Sequence, residues 1–311
     1  MKIFIEIPSW LGDAIMATPA IQNIIKTYPQ AKITILGSFV STQAFVGYPN
    51  IEKVIVDDTK KEKNRYKALI SLAKSIGKVD LAISFRRSFS SKFMMFFIKS
   101  KKKFNYKRLT KKEIHLCIRY NDFVNKVLDL QNKVGDLKLY FEAFKYNKPT
   151  LGINPGATYG SAKRWYPEEF AKVAINLAFK YDIVIFGGPT ETDIAKDIEN
   201  ELIKQGISNY QNLAGKTTIS ELIEKIAGLS LFITNDSGPM HVAAAYKVKT
   251  VAIFGPTKFT ETNQWNNPKG IIVTKNLDCA PCMKRVCPLK HHNCMKEIKA
   301  NDVLKSLSNF E

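Results

Sequence analysis

The chain holds 311 residues, 45% hydrophobic and 24% charged, a globular composition that excludes a disordered or collagen-like chain. The formal charge is +19 and lopsided: residues 1–150 carry 28 basic and 12 acidic side chains, residues 151–311 carry 19 and 16. Such a bias points the first half toward an anionic partner, whether nucleic acid, an acidic membrane or a phosphorylated substrate. A lysine-favouring codon usage would raise the count without confining it to one half. The longest apolar run, residues 93–98, falls far short of the roughly 20 residues that a membrane span needs. Glu6 interrupts the first apolar run and Pro8 and Gly12 follow at once, unlike a secretory signal, so a cytoplasmic location is expected.

In chain order, the pattern predicts a strand over residues 2–7, a short loop, and a helix from about 14 to 28 that Pro29 ends. Strands follow over 32–36 and 54–56, then a helix over 66–76 and a strand over 80–84. Residues 99–146 fit no motif. Pro149 marks a junction, and the same alternation restarts with a strand over 150–154. A helix over 167–180, a strand over 182–186, helices near 193–205 and 219–227, and strands over 231–234 and 251–254 complete it. The strands are apolar throughout rather than alternating, which means parallel sheets covered on both faces. The expected fold is therefore α/β with two doubly wound, Rossmann-like domains, 1–149 and 150–300, and a cleft between them at the carboxyl ends of the strands. Residues 301–311 are expected to form a helix that packs back on the first domain.

Four loops follow predicted strands, where open α/β sheets bind ligands. In Trp10-Leu11-Gly12-Asp13-Ala14, glycine permits close approach of backbone to a ligand, and Asp13 is either a catalytic acid or a helix cap. The loop from Asn154 to Trp165 offers glycines, hydroxyls and the adjacent cations Lys163 and Arg164, suited to phosphate oxygens or simply to solvent. No Gly-Lys-Ser/Thr closes that loop, so it is not a Walker loop. Glu191, after Gly187-Gly188-Pro189-Thr190, can accept from a ribose hydroxyl or stabilise a helix N-terminus. In Thr234-Asn235-Asp236-Ser237-Gly238-Pro239-Met240-His241, the Ser237 and Gly238 amides at a helix start suit a diphosphate, and His241 lies in the first turn. The GxGxxG expected of a dinucleotide oxidoreductase is missing after the first strand.

These loops, together with Pro8-Ser9 before the first and the run Val242-Ala243-Ala244-Ala245 after the last, resemble those of the ADP-heptose:lipopolysaccharide heptosyltransferases of glycosyltransferase family 9, most of all their type II members. The resemblance implies a metal-independent, inverting enzyme of GT-B fold. It would move L-glycero-D-manno-heptose from ADP-heptose to the first heptose of the lipopolysaccharide inner core. By the same resemblance Asp13 is the general base and Lys163 neutralises the leaving diphosphate. Thr158, Ser237, Gly238 and His241 complete the diphosphate site, Glu191 meets the nucleoside, and Asp236 orients the donor heptose or its own loop. Gly12, Arg86 and Arg87 are candidates for the acceptor side, although the two arginines could equally be surface charge. The shared motifs mostly serve the donor, so Kdo-lipid A or another core acceptor stays open.

Two features lie outside the resemblance. Residues 99–112 include eight basic side chains and follow the apolar run 93–98. They suit docking on the anionic inner leaflet, as a peripheral membrane enzyme would need, or else form a solvated loop after a buried helix. Four cysteines cluster as Cys279-x2-Cys282-x4-Cys287-x6-Cys294, which suits a structural zinc or an iron–sulfur cluster, with free thiols as the alternative. No cofactor is expected in catalysis. A basic nucleic-acid-binding protein is the competing class, but helix-turn-helix, RRM and zinc-finger spacings are missing, so no nucleic-acid partner is expected.

Overall fold

The computed structural model describes residues 1–310, and the chain divides into two units, Met1–Tyr140 and Phe141–Glu311. The division falls ahead of the expected 149/150 junction. The Phe141 amide donates to the Tyr246 hydroxyl (3.0 Å) and the Phe144 amide to the Glu224 carbonyl (2.9 Å), which ties the connecting segment to the second unit.

The first unit is built on strands β1 (Lys2–Glu6), β2 (Lys32–Gly37), β3 (Ile51–Val56), β4 (Lys78–Ser84) and β5 (Lys99–Asn105). They form one parallel sheet in the order β3-β2-β1-β4-β5. The helices are α1 (Leu11–Met16), α2 (Thr18–Thr27), α3 (Phe39–Thr42), α4 (Arg65–Ile76), α5 (Phe89–Phe97) and α6 (Leu116–Leu128). Phe4, Leu36 and Ala82 of the sheet meet Leu69, Ala73, Met94 and Met95 of α4 and α5. On α2 and α6, Asn23 donates to Asn121 in a buried bond of 2.7 Å. The single helix expected over 14–28 is two helices. Pro19 has no N–H for the Ile15 carbonyl, and the Thr18 hydroxyl takes that acceptor instead at 2.7 Å. The unplaced region holds β5 and α6. The lysines of β5 lie on an edge strand, a placement that discourages pairing with a further strand. Lys101 reaches Asp80 at 2.7 Å, but both ends are exposed, so the pair contributes little.

The second unit repeats the plan with β6 (Thr150–Asn154), β7 (Asp182–Ile185), β8 (Tyr210–Asn212), β9 (Leu231–Asn235), β10 (Thr250–Ile253) and β11 (Gly270–Val273). Their order, β11-β10-β9-β6-β7-β8, is again wholly parallel. Its helices are α7 (Pro167–Leu177), α8 (Thr192–Lys204), α9 (Ile219–Ala227), α10 (Gly238–Ala245), α11 (Phe259–Thr262), α12 (Asn293–Lys296) and α13 (Ala300–Ser306). The carboxyl-terminal segment packs on the core of this unit. Ala300 and Val303 are buried in the core with Phe170 and Val273, and Leu304, Leu307 and Phe310 lie against it. Among the described residues no helix is long and apolar enough to cross a membrane.

Each sheet has a switch point where successive strands run off in opposite directions: around β1 in the first, between β6 and β9 in the second. Loops leaving the carboxyl ends of strands at such points diverge and leave a crevice. Asp13 and Arg86 belong to the first; Lys163, Asp236, Ser237 and His241 belong to the second.

Candidate active site

In the second unit, the loops after β6 and β9 are locked together by their own polar side chains. Asn154 donates to the Ser237 hydroxyl and to the Gly156 carbonyl, both at 3.2 Å. Asn235 donates to the Pro155 carbonyl (2.7 Å), and its oxygen accepts from the Trp165 amide (3.1 Å). Trp165 is fully buried, its Nε1 bonded to the Ile298 carbonyl at 2.9 Å, and it closes the loop against Phe170. Both ends of the 154–165 loop are therefore rigid, and only its tip, with exposed Thr158, faces solvent.

Lys163 is held over this crevice. Its Nζ lies 2.5 Å from Asp236 Oδ2, with side-chain exposures of 13% and 4%. Asp236 also accepts from the Thr257 hydroxyl at 2.6 Å, a partner supplied by the loop after β10 that sequence reasoning missed. Lys163 Nζ lies 4.8 Å from the centre of the Tyr159 ring. Ser237 is the N-cap of α10 and makes no side-chain cap bond. The first-turn amides and the positive end of the helix dipole thus sit beside an ammonium group, an arrangement that attracts a phosphate. His241 is buried in the first turn of the same helix.

Glu191 lies beneath the same loop. A Cβ added at Gly156 would overlap its carboxyl group, so glycine is what lets the β6 loop cross above it. One oxygen of Glu191 accepts from the Gly188 amide at 2.8 Å; the other, Oε1, is buried without a hydrogen-bond partner. A buried carboxylate oxygen left this way carries a desolvation cost that a ligand hydroxyl would relieve. Glu191 thus caps the short turn Pro189–Glu191 with one oxygen and leaves the other as an unpaired acceptor. The chain's Gly-Lys-Thr, Gly215-Lys216-Thr217, follows the edge strand β8; Tyr210 stands where a Walker loop needs its first glycine.

In the first unit, Asp13 occupies the first turn of α1 and is half-buried. It is not the cap; Trp10 holds that position and makes no side-chain bond. Gly12 beside it is buried. Burial pushes the Tyr120 hydroxyl well above its usual range, and the nearby charge of Asp13 adds to the rise. Arg86 is engaged inside the unit: Nη1 is 3.1 Å from Glu6 and 3.6 Å from Asp57. Glu6 also accepts from Ser84 (2.5 Å) and from Ser91. Burial raises the Glu6 carboxyl above its usual range even though Arg86 and the two serines lower it. Arg86 therefore shapes the end of the sheet, whereas Arg87 is exposed.

The four clustered cysteines line one small cavity with Ala162, Pro256, His291 and His292. All are free thiols, and among the described residues no three His, Cys, Asp or Glu side chains stand close enough together to hold a metal ion. Burial pushes the Cys294 thiol up to about 11, with the other three thiols adding to the rise.

The family model for glycosyltransferase family 9 (heptosyltransferase) matches residues 84–293. The chain is 45% identical to lipooligosaccharide heptosyltransferase 2 of Campylobacter jejuni serotype O:2, over 100% of this chain and 98% of that protein. The Escherichia coli ADP-heptose lps heptosyltransferase II structure superposes with a TM-score of 0.80 at 23% identity, covering 99% and 98% of the two chains. A glycosyl transferase family 9 structure from Veillonella parvula superposes with a TM-score of 0.85 at 24% identity, covering 99% and 96%.

Proposed function

The chain belongs to glycosyltransferase family 9 and is a heptosyltransferase of GT-B fold acting in lipooligosaccharide or lipopolysaccharide core assembly; we propose that it moves heptose from ADP-heptose to the first heptose of the inner core through the residues described above. The observation that carries the site assignment is the polar crevice between β6 and β9. There Lys163, the start of α10 and the unsatisfied oxygen of Glu191 offer a diphosphate and a sugar hydroxyl what each needs.

In this reading the second unit holds the donor. Lys163 and the Ser237 and Gly238 amides take the diphosphate, with Thr158 and His241 at its margins. Glu191 accepts from the nucleoside ribose, and Asp236 fixes the Lys163 ammonium and the heptose. The first unit supplies the base. As an acceptor hydroxyl oxygen attacks the anomeric carbon, its proton passes to Asp13 and the bond from that carbon to the diphosphate oxygen breaks. The charge that collects on ADP is neutralised by Lys163 and the helix dipole, so the displacement needs no metal ion. Gly12 lets the acceptor approach the backbone beside Asp13. Arg87, exposed beside Arg86 in the chain, offers a cation to acceptor phosphates or carboxylates, while Arg86 is held by Glu6 and Asp57.

A lipid-borne acceptor explains the basic half of the chain. Phe89 and Phe96 of α5 are 70% and 75% exposed, and Lys103 of β5 donates to the Phe96 carbonyl at 2.8 Å. Aromatic side chains next to several cations suit the interface of an anionic bilayer, where each cation contributes about 1 kcal/mol. The enzyme then works at the cytoplasmic face of the inner membrane as a peripheral protein. Co-sedimentation with vesicles containing phosphatidylglycerol tests this: binding should fall with added salt and with Phe96→Ser. Binding indifferent to both would remove the membrane from the account.

The acceptor is tested directly by offering ADP-heptose with lipooligosaccharide truncated after its first heptose, or with Kdo-lipid A. Transfer to the first acceptor is expected. Transfer only to Kdo-lipid A would overturn the acceptor assignment, and failure to bind ADP-heptose at all would overturn the donor site.

A further inference from the structure

The cysteine cluster has no place in the reaction above, yet it stands directly against the loop that carries Lys163. Residues 274–292, which include three of the four cysteines, contain neither helix nor strand. That is longer than the roughly 12–15 residues at which structureless segments become uncommon in compact domains. Leu277 and Ala280 pack against the core, but Met283, Val286 and Leu289 further along are 45%, 68% and 57% exposed, so the stretch around Cys282 and Cys287 is not held by buried apolar side chains of its own. It is nevertheless fastened to the donor loop at several points. The Ala162 amide donates to the Arg285 carbonyl at 3.0 Å, and the Tyr159 hydroxyl to the Met283 carbonyl at 3.0 Å. His292 Nε2 meets the Ala162 carbonyl at 2.9 Å, and Arg285 stacks over Tyr159, whose ring lies beside Lys163. At Gly160 an added Cβ would strike the Arg285 carbonyl, so the two segments touch backbone to backbone.

We propose that Cys279, Cys282, Cys287 and Cys294 bind one thiophilic divalent ion, of the class of Zn²⁺ and Fe²⁺, and that the resulting knuckle braces the donor loop that presents Lys163. The inference rests on the donor site assigned above. Four thiolates are the ligand set that selects such ions in tetrahedral geometry. All four line one small cavity, with room for a single ion. The two histidines are not needed as ligands. His292 has both ring nitrogens engaged, with Ala162 and with Tyr166, and His291 Nδ1 accepts from the Asn293 amide. Binding releases the thiol protons and leaves a site of net charge −2, which Lys284, Arg285 and Lys290 of the same loop offset. The ion would draw the sulfurs to about 2.3 Å from it, joining the cysteines to one another as well as to the donor loop.

The test is metal analysis of protein purified anaerobically without chelators, paired with calorimetric ADP binding before and after the ion is removed. About one ion per chain is expected. Removal should weaken ADP binding by about tenfold, in line with other outer supports of a site, and returning Zn²⁺ or Fe²⁺ should restore it. Cobalt-substituted protein should show the visible bands of a tetrahedral tetrathiolate, a readout independent of activity. Cys287→Ser should lose the ion, whereas His292→Ala should keep it and still bind ADP more weakly. Protein that takes up neither metal, or whose cysteines pair as disulfides, would overturn the metal site. An ion whose removal leaves ADP affinity unchanged would overturn the bracing role. Failure of the metal-loaded protein to bind ADP would refute the donor site instead, with the metal count standing.

Discussion

Lys163→Gln separates the two roles that the structure gives this lysine. Its ammonium lies 2.5 Å from Asp236, whose residue is 3% exposed. Removing one partner of a buried pair costs roughly 3–5 kcal/mol because the other charge is stranded. Thr257 still donates to Asp236, and Lys163 keeps some contact with solvent, so the lower end, about 3 kcal/mol, applies here. For a unit the size of Phe141–Glu311, unfolding by itself, that is a fall in Tm of about 6–12 °C. The same substitution removes the charge facing the leaving diphosphate, and loss of one such group lowers kcat by about 10²–10³. Adding Asp236→Asn removes the stranded charge while keeping a side chain that can bond Thr257. The double variant should therefore regain most of the lost Tm and none of the lost kcat. Thermal unfolding and transfer assays on wild type, both single variants and the double variant decide it. A double variant that regains transfer, or a Lys163→Gln enzyme that is destabilised yet fully active, would refute the electrostatic role.

Three further outcomes follow from local geometry. Gly156→Ala forces a methyl group onto the Glu191 carboxyl; a stability loss of about 1–3 kcal/mol and a raised KM for ADP-heptose are expected, read by unfolding and initial rates. Glu191→Gln should weaken ADP-heptose binding by about tenfold while leaving thermal stability within about 1 kcal/mol, because the amide oxygen can still accept from Gly188. Glu169 is buried, which raises its pKa, but Lys172 and the Ala300 amide more than offset this and hold it below its usual value. Its stabilising contribution is therefore present above the unfolded value near 4.5 and is lost as pH falls through the lower folded value. Glu169→Gln should cost about 1–2 kcal/mol at neutral pH, and the gap from wild type should close in acid; a gap that widens on acidification would contradict the assignment.

Most of the strands, though not their order, can be anticipated from the sequence because parallel strands buried on both faces leave apolar runs. Strands β1, β6, β9 and β10 are of this kind. The edge strand β5 escapes the same reasoning. Its partners lie on one side only, so its residues stay charged, and Lys99–Asn105 reads as a basic loop. The break at Ala17 depends on one hydroxyl replacing one missing amide, too local for helix periodicity to reveal. In the site, the loops announce themselves by glycine and polar residues after strands. The pairing within them does not: Thr257 on Asp236, Glu191 under Gly156 and Arg86 against Glu6 join residues far apart in sequence. The cysteine spacing points to a ligand set but gives no hint that its loop is bonded to Ala162 and Tyr159.

The central claim is that a heptosyl donor held by the second unit reacts with an acceptor activated by Asp13. The measurement that tests it most directly is single-turnover transfer from ADP-heptose to acceptor truncated after its first heptose, comparing wild type with Asp13→Asn, alongside calorimetric ADP-heptose binding. A rate reduced by about 10²–10⁴ with donor affinity unchanged is expected, as loss of a general base requires. An Asp13→Asn enzyme that transfers heptose at the wild-type rate would contradict it.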